Sequence, residues 1–323
     1  MQLHSIQEQP VSGGMPAALM PDRSGAPLER LSRWVDRHLV GVMVTPSLVV
    51  LLVFVIFPTL FLLGLSLSAW DFTTPLPRLI GLHNFITLFT DDADFWAGLM
   101  RSLTFVVCGV SAEFVLGLLI AVLFHSRQLP GISVIRTLLL VPMAMTPVVT
   151  GMLWLIMYNP TYGLINYLLS LWGIQGPAWT ADPATALGAL IVIDIWQWTP
   201  FVFLVLSAGL LSIPNELYEA ARVDGATGWH MFWYVTLPML KRVSLLVILL
   251  RTVDIWKVFD TIFALTKGGP GTATQTLNFY AYVQSFQWFH LGYAAALMVV
   301  AVLIVTVFAN VFLRTSRGLL ELD

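Results

Sequence analysis

The sequence predicts an all-α membrane protein with six transmembrane helices, and three observations carry that expectation. Of its 323 residues 58% are hydrophobic and only 11% charged, whereas a soluble domain is about half apolar and a quarter charged. The mean hydropathy is +0.82, more apolar surface than one soluble core can hide. Six apolar runs are each long enough, at about 20 residues, to cross a hydrocarbon core of ~30 Å.

Other function classes find little support. The formal charge of −2 gives no pointer to nucleic acid. Cys108 is the sole cysteine and lies in an apolar run, which leaves no intrachain disulfide and no cysteine metal site. The six histidines show no ligand spacing, so no metal is expected.

Taken in order, residues 1–27 are polar, rich in Pro and Gly, and without the apolar core of a signal peptide; they read as a disordered cytoplasmic tail. Over 28–39, Leu28, Leu31, Trp34, Val35 and Leu39 share one helical face, with Arg30, Arg33 and Arg37 elsewhere. That pattern suits an interfacial helix, although a plain polar lead-in to the first span is equally open. The six runs fall at 40–68, 100–124, 133–157, 185–211, 240–265 and 290–314, within a transmembrane domain of 40–315 followed by a tail of 316–323. An even number of spans puts both termini on one side. Arg23, Arg30, Arg33, Arg37, Arg127, Arg136, Arg222, Lys241, Arg242, Arg314 and Arg317 make that side cytoplasmic, by the excess of positive charge that inner loops carry. The outward segments hold Asp71, Asp91, Asp92, Asp94 and Asp182, with Trp70, Phe95, Trp96, Trp172 and Trp179. Two roles are open for those aromatics: membrane-interface anchors or contacts to an external partner.

Between the fourth and fifth runs lies a polar island, Glu219-Ala220-Ala221-Arg222-Val223-Asp224-Gly225, continuing to Val235-Thr236-Leu237-Pro238 within the loop 212–239. Pro214 suits the first turn of a short helix. Leu217, Ala220 and Ala221 give it one small apolar face, and Asp224-Gly225 ends it, because Gly takes the left-handed conformation freely. Pro238 marks the expected start of the next apolar helix. Glu-Ala-Ala, three residues, Gly, nine residues, an aliphatic residue, one more and Leu-Pro resembles the coupling loop of bacterial ABC importer permeases, with Val235 where that family usually has isoleucine.

Further stretches resemble the MalF/UgpA-type carbohydrate branch of those permeases, the inner-membrane components of binding-protein-dependent transport. They are Gly81-Leu82-His83-Asn84-Phe85, Ile195-Trp196-Gln197-Trp198-Thr199-Pro200-Phe201, the element from Val258 through Asp260 and Gly268-Gly269-Pro270 with Phe263 replacing the usual tyrosine, and Gly292-Tyr293-Ala294-Ala295-Ala296. The resemblance covers roughly 40–315, in the family's order. It implies a type I permease fold working with a second permease subunit, two copies of a cytoplasmic ATPase and an extracytoplasmic substrate-binding protein. It also implies that Glu219 engages a groove on the ATPase, that Ala220 and Ala221 keep the docked face small, and that Asp224, Gly225, Leu237 and Pro238 shape the loop. The maltose-system member has extra amino-terminal spans and a large outer domain; this chain has neither.

No Gly-x4-Gly-Lys-Ser/Thr phosphate loop is present, and Gly268-Gly269-Pro270-Gly271 lacks the lysine that would reach phosphates. ATP and Mg are therefore expected on the partner ATPase, and this chain is expected to be no enzyme. The costly residues are charges within apolar runs, which normally face a cavity or a partner. Arg251, Asp254, Lys257 and Asp260 alternate in sign at spacing three, close enough to neutralise one another on a helix. Glu113 and Asp194 either hydrogen-bond between helices or line a hydrated path. Trp196, Gln197 and Trp198 beside Asp194 supply flat faces and a polar handle suited to sugar rings. The expected function is ATP-driven import of a sugar or related polyhydroxylated solute by alternating access. The rivals are an ion-coupled secondary transporter, and the same importer class carrying an anion such as glycerol phosphate or a sulfonated sugar.

Overall fold

The computed structural model describes residues 39–71, 73, 75–125 and 132–320. The expected tail, the surface helix before residue 39, and Arg127 lie outside the described residues. Two units divide at residues 60 and 61. The first holds helix α1 (Leu39–Leu51) and a π-helical turn, Leu52–Ile56. Its side chains from Met43 onward, leaving Val42 aside, are exposed all round, as suits an apolar helix surrounded by lipid or by other chains. The turn has a cause in sequence. Pro58 has no N–H and its ring crowds the preceding turn, so the ladder widens just before it and the Phe57 N–H donates to the Leu52 carbonyl.

Helix α2 (Phe57–Ser66) leads to strands β1 (Ser68–Ala69) and β2 (Arg78–Leu79), which pair antiparallel. Gly81, with φ of +63°, turns the chain into α3 (His83–Thr90). Asn84 fixes this corner by donating to the Ser66 and Ser68 carbonyls at 2.9 and 3.0 Å. Helix α4 (Ala93–His125) is capped by Asp92, which accepts from the Phe95 N–H at 2.9 Å. Tyr280 (2.8 Å) and Tyr293 also donate to Asp92, and so tie the start of α4 to later elements.

The third expected span is broken. Its residues form α5 (Ile132–Leu139), α6 (Val141–Ala144) and α7 (Pro147–Met157), because Pro142 and Pro147 each open a new helix at a first turn. Next come α8 (Leu164–Ser170), α9 (Pro183–Leu211) and α10 (Asn215–Val223). The fifth helix does not begin at Pro238. It starts with α11 (Gly228–Met231), passes through a π-helical turn (Phe232–Thr236) and continues as α12 (Leu237–Ile255). Pro238 is accommodated like Pro58, with the Leu237 N–H donating to the Phe232 carbonyl. The helix also stops early. Residues 256–259 break it, and α13 (Asp260–Leu265) follows, so the spacing-three ladder does not extend to Asp260. Helix α14 (Leu277–Tyr282) and the π-helical turn Val283–Gln287 precede α15 (Leu291–Leu320), which runs past the expected limit at 314.

Among the described residues, five helices are long and apolar enough to cross a membrane, with Pro147–Met157 a shorter apolar helix. The core of the second unit joins α3, α4, α7, α9, α12, α13, α14 and α15, with Phe95, Leu190, Ile193, Ile262 and Leu297 fully buried. Phe95 is thus a core residue, not an interface anchor. Trp179 stacks on Tyr158 at 5.4 Å and donates to Asn166 Oδ1 at 2.6 Å, while Trp172 is exposed.

Candidate functional site

Glycines set the geometry of the membrane site. Gly109, Glu113 and Gly117 follow at spacing four along one face of α4, where residues stack above one another. A Cβ on Gly117 would meet Val202 Cγ1 at 2.7 Å, and one on Gly109 would meet Ile255 Cδ1 at 3.0 Å. Small residues here let α9 and α12 approach α4 closely, as in other membrane helix pairs. Glu113, between the two glycines, is 0% exposed and reaches across to α12.

There it meets Arg251, itself 2% exposed. Arg251 Nε donates to Glu113 Oε2 at 2.6 Å and Nη2 to Oε1 at 2.8 Å, a two-bond grip on the carboxyl group. Nη2 also donates to Asp194 Oδ2 on α9 at 3.0 Å, and Nη1 to Asp254 Oδ2 at 2.6 Å. The guanidinium carbon lies 4.8 Å from the centre of the Trp198 ring, a cation–π arrangement. Lys257 Nζ stands 3.7 Å from Asp254 Oδ1.

The cluster divides by exposure. Glu113, Asp194 and Arg251 are buried, whereas the Asp254 and Lys257 side chains are 47% and 65% exposed. With Arg251, Trp198, Phe201 and Leu250 they border a cavity of about 480 Å3 on the flank of α12, within the range of small-molecule sites. Gln197 is buried and donates to the Met145 carbonyl at 2.9 Å, and Trp196 packs edge-on against Trp154 at 5.6 Å; both face the bundle interior. Asp260 is exposed at the start of α13, away from the cluster's bonds. No group of three or more His, Cys, Asp or Glu suited to a metal ion occurs among the described residues.

The second feature is the polar island. Helix α10 has Pro214 at its N-cap and Asp224 at its C-cap, and none of its nine residues is buried. Gly225, at φ +79°, closes it: the Gly225 N–H donates to the Arg222 carbonyl and the Ala226 N–H to that of Ala221. This pairing satisfies the last carbonyls of the helix. The Tyr218 hydroxyl lies 3.1 Å from that of Thr236, pinning one side of α10 to the π-helical turn. Glu219 borders a cleft of about 480 Å3 with Asn215, Arg222 and Met231; Leu217 and Ala220 are exposed, and Ala221 beside them is half-buried.

A multi-span helical body, a charge cluster open on one flank and a fixed, uncovered helix between two spans define a multi-pass membrane permease subunit. Residues 113–318 match the family described as binding-protein-dependent transport system inner membrane component. The chain belongs to that family: it is an inner-membrane component of an ABC importer, a transport subunit and not an enzyme. It is 36% identical over 278 residues to the trehalose/maltose transport system permease protein MalF of Thermococcus litoralis, covering 85% of this chain and 92% of that one. It is 33% identical to the trehalose transport system permease protein SugA of Mycobacterium tuberculosis (88% and 90% covered). With the sulfoquinovosyl glycerol transport system permease protein SmoG of Agrobacterium fabrum it shares 32% identity (94% and 99%). Among solved structures, it resembles a chain of a bacterial ABC transporter involved in the import of the acidic polysaccharide alginate, with TM-score 0.76 and 26% identity over 90% of this chain and 99% of that one. Family membership decides against the ion-coupled rival.

Proposed function

We propose that this chain forms one half of the path by which an ATP-driven importer carries a sugar-type solute inward. A second permease subunit closes the path along the α12 flank. Two copies of a cytoplasmic ATPase, which hold ATP and Mg, dock on the permease pair, and an extracytoplasmic binding protein delivers the solute. Both termini and α10 face the cytoplasm. Named relatives that carry trehalose, maltose or sulfoquinovosyl glycerol support a carbohydrate cargo.

The observation that carries the ATP-coupled part is α10. It is nine residues long, fixed by Tyr218 at one side and by the Gly225 turn at its end, yet none of its residues is fully buried in its own chain. A short polar helix held at its side and its end, with Leu217 and Ala220 exposed, is suited to pass a push between subunits. Glu219 supplies the charge that the ATPase groove grips, with Leu237 and Pro238 setting where the following helix turns toward the membrane. Contacts at α10 bias the outward- and inward-open states only by differing between them.

The test is Glu219→Lys in the complete importer. Uptake into proteoliposomes should vanish while the chain still inserts in the membrane and keeps its helix content. Copurification of the unaltered chain should bring down an ATPase and a second permease in fixed ratio. Normal uptake by the Glu219→Lys importer would remove the coupling role.

A further inference from the structure

Resting on the solute path just described, we infer that the cavity on the α12 flank selects for solutes without negative charge, and that Asp254 Oδ1 is the acceptor that engages a neutral polyhydroxylated cargo. Three carboxylates, from Glu113, Asp194 and Asp254, share two cations, Arg251 and Lys257, so the cluster has no surplus positive charge to offer an anion. The sequence offers Arg251 and Lys257 as the two cations for an anion, each already beside an acidic neighbour. In the fold Arg251 borders the cavity, but it is 2% exposed and all three of its nitrogens donate to carboxylates.

The two oxygens of Asp254 differ. Oδ2 accepts from Arg251 at 2.6 Å, which fixes the carboxylate in place. Among the described residues, Oδ1 has the Lys257 ammonium at 3.7 Å as its one partner, which leaves it lone pairs for hydroxyl donors. Lys257 is 65% exposed on a flexible stem; it balances the charge of Asp254 and is no fixed ligand. The Trp198 ring, itself held by Arg251, gives a flat face beside this acceptor. An acceptor next to an aromatic face, with no uncommitted cation, fits sugar hydroxyls and repels phosphate, sulfonate or uronate groups.

The test uses the complete importer in proteoliposomes, with the sugar that its own binding protein retains on purification as the transported probe. Asp254→Asn and Lys257→Met are compared for uptake, with ATP hydrolysis and chromatographic yield reporting assembly. Asparagine can still accept from Arg251, so the fold is kept. Asp254→Asn should lower maximal uptake about ten-fold or more, the scale of one charge-assisted hydrogen bond, and Lys257→Met should change it less than about three-fold. A loss at Lys257→Met equal to or larger than that at Asp254→Asn overturns the inference and marks an anion path. If neither change alters uptake, the α12 flank is not the path, whatever the Glu219→Lys result says about ATP coupling.

Discussion

Arg251 can sit in the bundle as a charge only because its donors are met. Removing one partner of a buried ion pair leaves the other uncompensated and costs about 3–5 kcal/mol, whereas exposed pairs contribute about 0–1 kcal/mol. Glu113→Ala should therefore lower the stability of the detergent-solubilised protein by roughly that larger amount, read as a fall in its melting temperature. Lys257→Met should lower it by less than about 1 kcal/mol. A double-mutant cycle on Glu113 and Arg251 should return a coupling well above that for Asp254 and Lys257. Equal couplings would mean that burial is not what distinguishes the two pairs. The sequence shows the Arg251–Asp254 contact, since spacing three places both on neighbouring positions of one helix. It does not show Glu113 or Asp194 as partners of Arg251, because they lie 138 and 57 residues away and only the crossing at Gly109 and Gly117 brings them together.

At the scale of elements, glycines mark where backbones meet. A Cβ at Gly292 would fall 1.8 Å from the Ser68 carbonyl oxygen, so the start of α15 rests directly on β1. Leu291 strengthens that join by donating to the Trp70 carbonyl at 3.0 Å. Because the clash is with backbone, Gly292→Ala must displace α15 or the β1–β2 corner. Its yield of folded protein should drop sharply. Gly188, on α9, has open space around it, and Gly188→Ala should be neutral or stabilising by up to about 1 kcal/mol through helix propensity. A thermal melt of both variants checks the contrast, and similar losses from the two would refute it. Hydropathy found the apolar runs but misread three features of them, each for a reason it cannot register. It counts apolar residues, so it runs through Pro142 and Pro147, where the third span breaks. It reads Pro238 as a start, although a π-helical turn carries the helix back to Gly228. It also extends the fifth span over 256–259, where the chain leaves the helix. The turn that ends α10 was more legible, because Gly225 at φ +79° is a local demand that the residue type itself announces.

For the whole molecule, the decisive contrast is between two exposed surfaces. The first helix presents apolar side chains on every side, Phe54 being 73% exposed. The α12 flank instead exposes Leu250, Asp254 and Lys257 beside the 480 Å3 cavity. Charges left half-exposed at membrane depth need water or a partner, so the second surface must be wet for part of the transport cycle. Thiols report this directly, since only the thiolate reacts and it forms in water and not in lipid. The chain has one cysteine, Cys108, on the exposed side of α4. With Cys108→Ala as background, Asp254→Cys and Leu250→Cys in the assembled importer should react with a water-soluble thiosulfonate, and Phe54→Cys should not. The rate at position 254 should also change when ATP is held on the ATPases without hydrolysis, because alternating access opens the flank to opposite sides in turn. A position 254 as inert as position 54 in every nucleotide state would place the solute path elsewhere in the complex, and Asp254 with Lys257 would then belong to a dry contact with the second permease.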